Sequence, residues 1–125
     1  MAITQQEVSD LESAINAKLS VYSAQFIMTT HFSMDRLNDV RNNPPITVAE
    51  LENIFDKVID QHITSILVLN DGDTFNIKCG ASHINMPCAV KKSSSAKETI
   101  THKNIVITIM RKPTFIAKDL VEFLV

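Results

Sequence analysis

The apolar residues of this chain change their period once, and that change limits the folds open to it. Up to about residue 62 they recur every three or four positions. After the "DGD" at 71–73 they alternate or run in β-branched clusters. Helices first and strands afterwards describe an α+β domain, with N-terminal helices packed on a mostly antiparallel sheet of about four strands.

The helical half carries two matching start signals. "ITQQEV" offers Thr4 and Glu7 as a capping box, with Ile3 and Val8 placed as a hydrophobic staple. Val8, Leu11, Ile15 and Leu19 then form one apolar stripe, which predicts a helix ending near Ser20. "ITVAELENIFDKVIDQH" repeats the device with Thr47, Glu50, Ile46 and Leu51, followed by Val48, Ile54, Phe55, Val58 and Ile59. Between them, the aromatic, β-branched and Thr content of "YSAQFIMTT" suits a short extended segment leading into His31, helix being the alternative. Residues 32–42 read as helix on the three-residue spacing of Met34, Leu37 and Val40, stopped by "NNPP".

In the second half, "SILVLN" is a short apolar run and "DGD" a hairpin turn signal. "TFNIKC", "HINMPCAVKK" and "NIVITIMRK" read as strands. Pro87 places the second of these at an edge or a bulge. "KKSSSAKETITHK" reads as a long polar hairpin loop, and "DLVEFLV" as a last short helix or strand.

At 125 residues the chain is most simply one domain, long enough for a modest core. It contains no Trp and one Tyr, so that core rests on aliphatic residues and six Phe. No apolar run reaches membrane-spanning length, and "MAITQQEVSD" lacks the pattern of a signal peptide. The expectation is a soluble cytoplasmic protein with no membrane partner. Cys79 and Cys88 read as small buried hydrophobes, since the chain lacks the further Cys or His spacing of a zinc site. No Gly-rich phosphate loop, H-E-x-x-H or G-x-S-x-G occurs, and no metal or cofactor is expected.

Charge is uneven. Residues 1–60 hold nine Asp/Glu and four Lys/Arg; residues 61–125 hold five and eight. A local basic region favours a polyanionic partner, although lysines also protect sheet edges. The candidate chemistry lies in "TTHFSMDRLNDVRNN" and "TIMRK". His31 stands at a strand-to-helix junction and suits acid–base work, a surface or capping histidine being the alternative. Arg36 and Arg41 follow as candidate phosphate ligands, the alternatives being an exposed ion pair of Arg36 with Asp35 or Asp39, and for Arg41 a cation that favours the helix dipole before the helix stop. On a straight α-helix the five residues from His31 to Arg36 sweep about 140°, so the two meet only if His31 lies off the helix. Strand alternation sets Thr108, Met110 and Lys112 against Ile107, Ile109 and Arg111. An Arg-Lys pair at a strand end can clamp phosphate. His83 and Asn85, with Lys91 and Lys92, are candidates for substrate contact. His62 and His102 lie in exposed-looking contexts.

"HFSMDRLNDVRNNPPITVAELENIF", "INMPCAV" and "TIMRKPTF" together resemble a phage-borne branch of the Barnase–EndoU–colicin–RelE (BECR) nuclease superfamily. The resemblance spans residues 29–115, leaving 1–28 as a helical extension and 116–125 as a tail. It implies helices on a four-stranded antiparallel sheet and metal-independent cleavage of RNA in a toxin-like protein. It carries the catalytic role to His31, Arg36, Arg41, Thr108, Arg111 and Lys112. RNA is the expected partner. The rival expectation is a non-enzymatic phage effector that binds a host or phage protein through the same scaffold.

Overall fold

The computed structural model describes residues 2–92, 102–116 and 121–125. The loop expected at 91–103 falls largely outside the described residues. Helix α1 (Gln5–Leu19) starts at the anticipated capping box and buries Val8, Leu11, Ile15 and Leu19. A short 3₁₀ turn at Ser20–Tyr22 leads to strand β1 (Ala24–Met28). Helix α2 (Val48–Leu67) starts at the second capping box. Strands β2 (Thr74–Lys78), β3 (Ile84–Lys92), β4 (His102–Val106), β5 (Met110–Arg111) and β6 (Glu122–Leu124) complete an α+β fold.

The sheet runs β1-β4-β3-β2-β6, with β5 also paired to β3. It holds more strands than the expected four, and it is mixed: β1–β4 and β2–β6 are parallel, the other pairings antiparallel. Both additions come from the chain's ends. Ala24, Phe26 and Met28 of β1 and Phe123 of β6 join the same core cluster as the helix stripes. The segments read as an extension and a tail therefore help to build the sheet.

α1 also closes an exposed strand edge. Asn16 Nδ2 donates to Phe26 O (3.0 Å), and Phe26 N donates to Asn16 Oδ1 (2.8 Å), so the amide takes the place of a neighbouring strand. One helical turn earlier, Glu12 Oε2 accepts from Met28 N at 2.8 Å. Capping an edge in this way removes a template for chain-to-chain pairing.

Four local expectations need correction. First, residues 32–42 do not form an α-helix. A six-residue π-helical turn (His31–Arg36) is followed by irregular turns. Met34 is 63% exposed and Val40 93%, and of the expected stripe Leu37 alone is buried. Asp39 and Asn42 divert the backbone: Asp39 Oδ1 accepts from Arg41 N, and Asn42 Nδ2 donates to Arg36 O.

Second, "SILVLN" begins as the end of α2, because Ile63 and Ile66 continue its buried stripe. The Asp-Gly-Asp turn is real, with Gly72 at φ +86°, but it joins helix to strand. Third, "NIVITIMRK" is broken into β4 and β5. Ile109 is buried while Ile107 is 41% exposed, so the alternation fails there. Pro87 marks neither an edge strand nor a bulge in the β2 pairing; it sits beside that break. It lies in the central strand β3, where the neighbour on one side changes from β4 to β5, and its carbonyl accepts from Ile107 N. Fourth, His102 is buried, with its ring Nε2 donating to Asn104 Oδ1. Burial lowers its pKa below the usual histidine value.

Cys79 and Cys88 are buried, as expected of small hydrophobes. Among the described residues, no helix is long and apolar enough to cross a membrane.

Candidate functional site

The π winding at His31–Arg36 decides what these side chains can do. Its i→i+5 pattern is seen in Leu37 N donating to Phe32 O at 2.9 Å. Widening the turn brings residues five apart roughly into line, where a regular helix would separate them. Arg36 Nε accordingly donates to His31 Nε2 at 3.2 Å. The other ring nitrogen, Nδ1, lies 3.3 Å from Asp35 Oδ2. With Nε2 accepting, the hydrogen-bond pattern assigns the ring proton to Nδ1, facing Asp35. The result is a carboxylate–imidazole–guanidinium row within one turn. His31 thus meets Arg36 from within the turn, without leaving it.

A second acid organises the arginines. Asp39 accepts from Arg41 Nη2 (2.8 Å) and Nε (3.1 Å), and from Arg36 Nη1 at 3.5 Å. The Arg41 guanidinium, followed by its backbone N–H, holds the Asp39 carboxyl far below the usual carboxylate range. Asp39 in turn raises the pKa of Arg41.

Opposite this turn stands the extended stretch Thr108–Lys112. Between the two walls lies a cleft of about 500 Å³, lined by His31, Arg36 and Arg41 on one side and by Thr108, Met110 and Lys112 on the other. Asn42 ties the walls together. Its Oδ1 accepts from Arg111 N (2.9 Å), and its Nδ2 donates to Arg36 O (2.9 Å). Asn42 is buried, and residue type alone did not mark it out.

Arg111 lines the cleft, but its charged head is committed elsewhere. Nε donates to Pro44 O, Nη1 to Glu50 Oε2 and Ser82 O, and Nη2 to Pro45 O and Glu50 Oε1. A guanidinium has five N–H donors, and these contacts use all five. Its side chain is 8% exposed, against 38% for Arg36 and 72% for Arg41. Arg111 is a structural clamp, and Lys112 is the cation of that pair left on the cleft. The Arg111 hydrogen bonds lead in lowering the pKa of Glu50, whose carboxylate also closes the α2 capping box. The sequence showed Glu50 only in that capping role.

The remaining candidates do not gather here. Asn85 is fully buried, donating to His83 O and Lys112 O and accepting from Asn76. His83 lines a neighbouring cleft beyond Arg111. Lys91 and Lys92 end β3, six to eight residues and roughly 20–26 Å along the strand from Ile84 and Asn85. Lys92 Nζ is bonded to Leu67 O. His62 bonds Leu124 O at 2.7 Å and belongs to the docking of β6.

No protein-family model, curated protein or solved structure matches this chain significantly.

Proposed function

We propose that this chain is a small metal-independent endoribonuclease-like protein that takes an RNA phosphodiester into the His31–Lys112 cleft. The observation supporting this reading is the meeting of a carboxylate-oriented imidazole with Arg36, Arg41 and Lys112 on one open surface. The resemblance of the same segments to BECR nucleases points the same way.

In this mechanism a phosphate oxygen is a better acceptor for the Arg36 fork than the neutral His31 Nε2, because the phosphate is itself anionic and takes two parallel N–H bonds. Substrate entry frees Nε2 to take the proton of the ribose 2′-hydroxyl. The 2′-oxygen–phosphorus bond forms as the phosphorus–5′-oxygen bond breaks, and water in the open cleft protonates the leaving oxygen. Asp35 holds the Nδ1 proton in place and stabilises the imidazolium. Arg36, Arg41 and Lys112 face the charge that grows on the phosphorus oxygens, and fixed cations are most effective there. Thr108 orients one of those oxygens.

The test is cleavage of a defined oligoribonucleotide. His31→Ala is expected to slow it by at least about 100-fold. Intact RNA with the unaltered protein, or an equal rate in the variant, rejects the proposal.

A second reading, a non-enzymatic effector of a host or phage protein, draws on Met34 and Val40. Both are apolar, both belong to the segment that forms one cleft wall, and they are 63% and 93% exposed. A tight stoichiometric partner pulled from host lysate, with total RNA left intact, would select it.

A further inference from the structure

Arg111 is a wall of two clefts. On its far side lies a second one, of about 480 Å³, whose polar lining includes Asn53, Lys57, Ser82 and His83. Glu50, Asn53 and Lys57 follow one another at helical spacing on α2, so one helix face looks into this space. The Glu50 charge is already matched by Arg111. Lys57 is half-buried and has no ion-pair or hydrogen-bond partner among the described residues. A half-buried ammonium without a carboxylate is a ready seat for an anion.

His83 is set beside it by backbone geometry. It sits at φ +61°, the left-handed region, where His is tolerated better than most residues. Its N–H donates to Cys79 O, and its carbonyl accepts from Lys112 N. The turn is therefore pinned from both sides. One of these bonds runs to Lys112, whose side chain lines the first cleft.

We infer that the second cleft is a phosphate subsite for single-stranded RNA, in which Lys57 and the His83 imidazole hold the phosphate next along the chain from the one bound at His31. This inference rests on the RNA reading of the first cleft and deepens it. RNA lying across the Arg111–Lys112 ridge places consecutive phosphates in the two clefts. Asn53 and the exposed edge of His83 then face the intervening sugar and base. The required ligand is longer than a dinucleotide, since one phosphate cannot fill both positions. Contacts of this kind position the strand without reading its sequence.

The probe is a 2′-O-methylated RNA octamer, which lacks the attacking hydroxyl and stays intact whatever the protein's activity. Its affinity is measured against salt concentration by fluorescence anisotropy. Each phosphate neutralised on a single strand contributes about 0.7 to the slope of log affinity against log salt. Lys57→Ala is expected to lower the slope by about that amount and to weaken binding equally for unrelated sequences. Lys57→Arg is expected to restore it. Lys91→Ala, at the far end of β3, is expected to leave it unchanged. An unaltered slope in Lys57→Ala overturns the inference, as does an equal loss in Lys91→Ala. If the unaltered protein cleaves no RNA yet Lys57→Ala still lowers the slope, the cleavage reading falls and the subsite stands. If the unaltered protein does not bind the octamer, both fall.

Discussion

Replacing Arg111 with alanine removes five hydrogen bonds at once and leaves Glu50 with no cationic partner among the described residues. The carbonyls of Pro44, Pro45 and Ser82 lose their donor in the same step. Breaking one side of a buried ion pair costs about 3–5 kcal/mol. Glu50 remains 29% exposed, so water recovers part of its solvation, and about 3 kcal/mol is the figure to expect. That is a large share of the roughly 5–15 kcal/mol that holds a domain of this size together. For a chain of 125 residues it corresponds to a fall in Tm of about 12 °C. Urea unfolding followed by far-UV circular dichroism measures it, with Arg36→Ala as the comparison. Arg36 is more exposed, and its loss should cost no more than about 1 kcal/mol. If Arg111→Ala proves about as stable as Arg36→Ala, the clamp reasoning is refuted, and a direct role for Arg111 in the chemistry becomes the better account.

The same contact sets a pH dependence. Arg111 lowers the Glu50 pKa below its ordinary 4.5, so the folded state favours the carboxylate. The stabilisation is complete above that value and is lost as pH falls through the lower folded pKa. Urea midpoints between pH 7 and pH 3 should therefore fall more steeply in the unaltered protein than in Arg111→Ala. A component of the same sign from Asp39 persists in both. Asn16→Ala should cost about 1–2 kcal/mol through the two β1 hydrogen bonds, and should make the protein associate with rising concentration by light scattering. A variant that stays monomeric and fully stable would show that the amide does not guard that edge.

What could be read from the sequence is what neighbouring residues decide among themselves. Both capping boxes are bonds across three positions, and both helices begin where Thr4 and Thr47 place them. The cleft is different. His31, Arg36, Arg41, Thr108 and Lys112 could be named from residue type and position, but the winding that aligns His31 with Arg36 could not. It is accompanied by the Asn42 bridge, whose bond to Arg111 N spans 69 positions. Nor could Arg111 be told from Lys112. The difference lies in Glu50, 61 positions earlier, which takes one cation out of the pair and leaves the other. Likewise, β1 and β6 gain their places by parallel pairing with strands far along the chain, which local periodicity does not encode.

The wide turn at His31–Arg36 also limits how this protein can change. An exposed side chain outside the row, such as Met34, is free to vary, whereas Phe32 is held in the core and Ser33 is buried. The turn's length is not free. Loss of a single residue there would let the backbone relax into ordinary four-residue bonding and turn the imidazole and the guanidinium toward different neighbours. Homologous sequences that keep this chemistry should therefore tolerate substitution at the exposed Met34, keep an apolar residue at Phe32, and lack gaps within the segment.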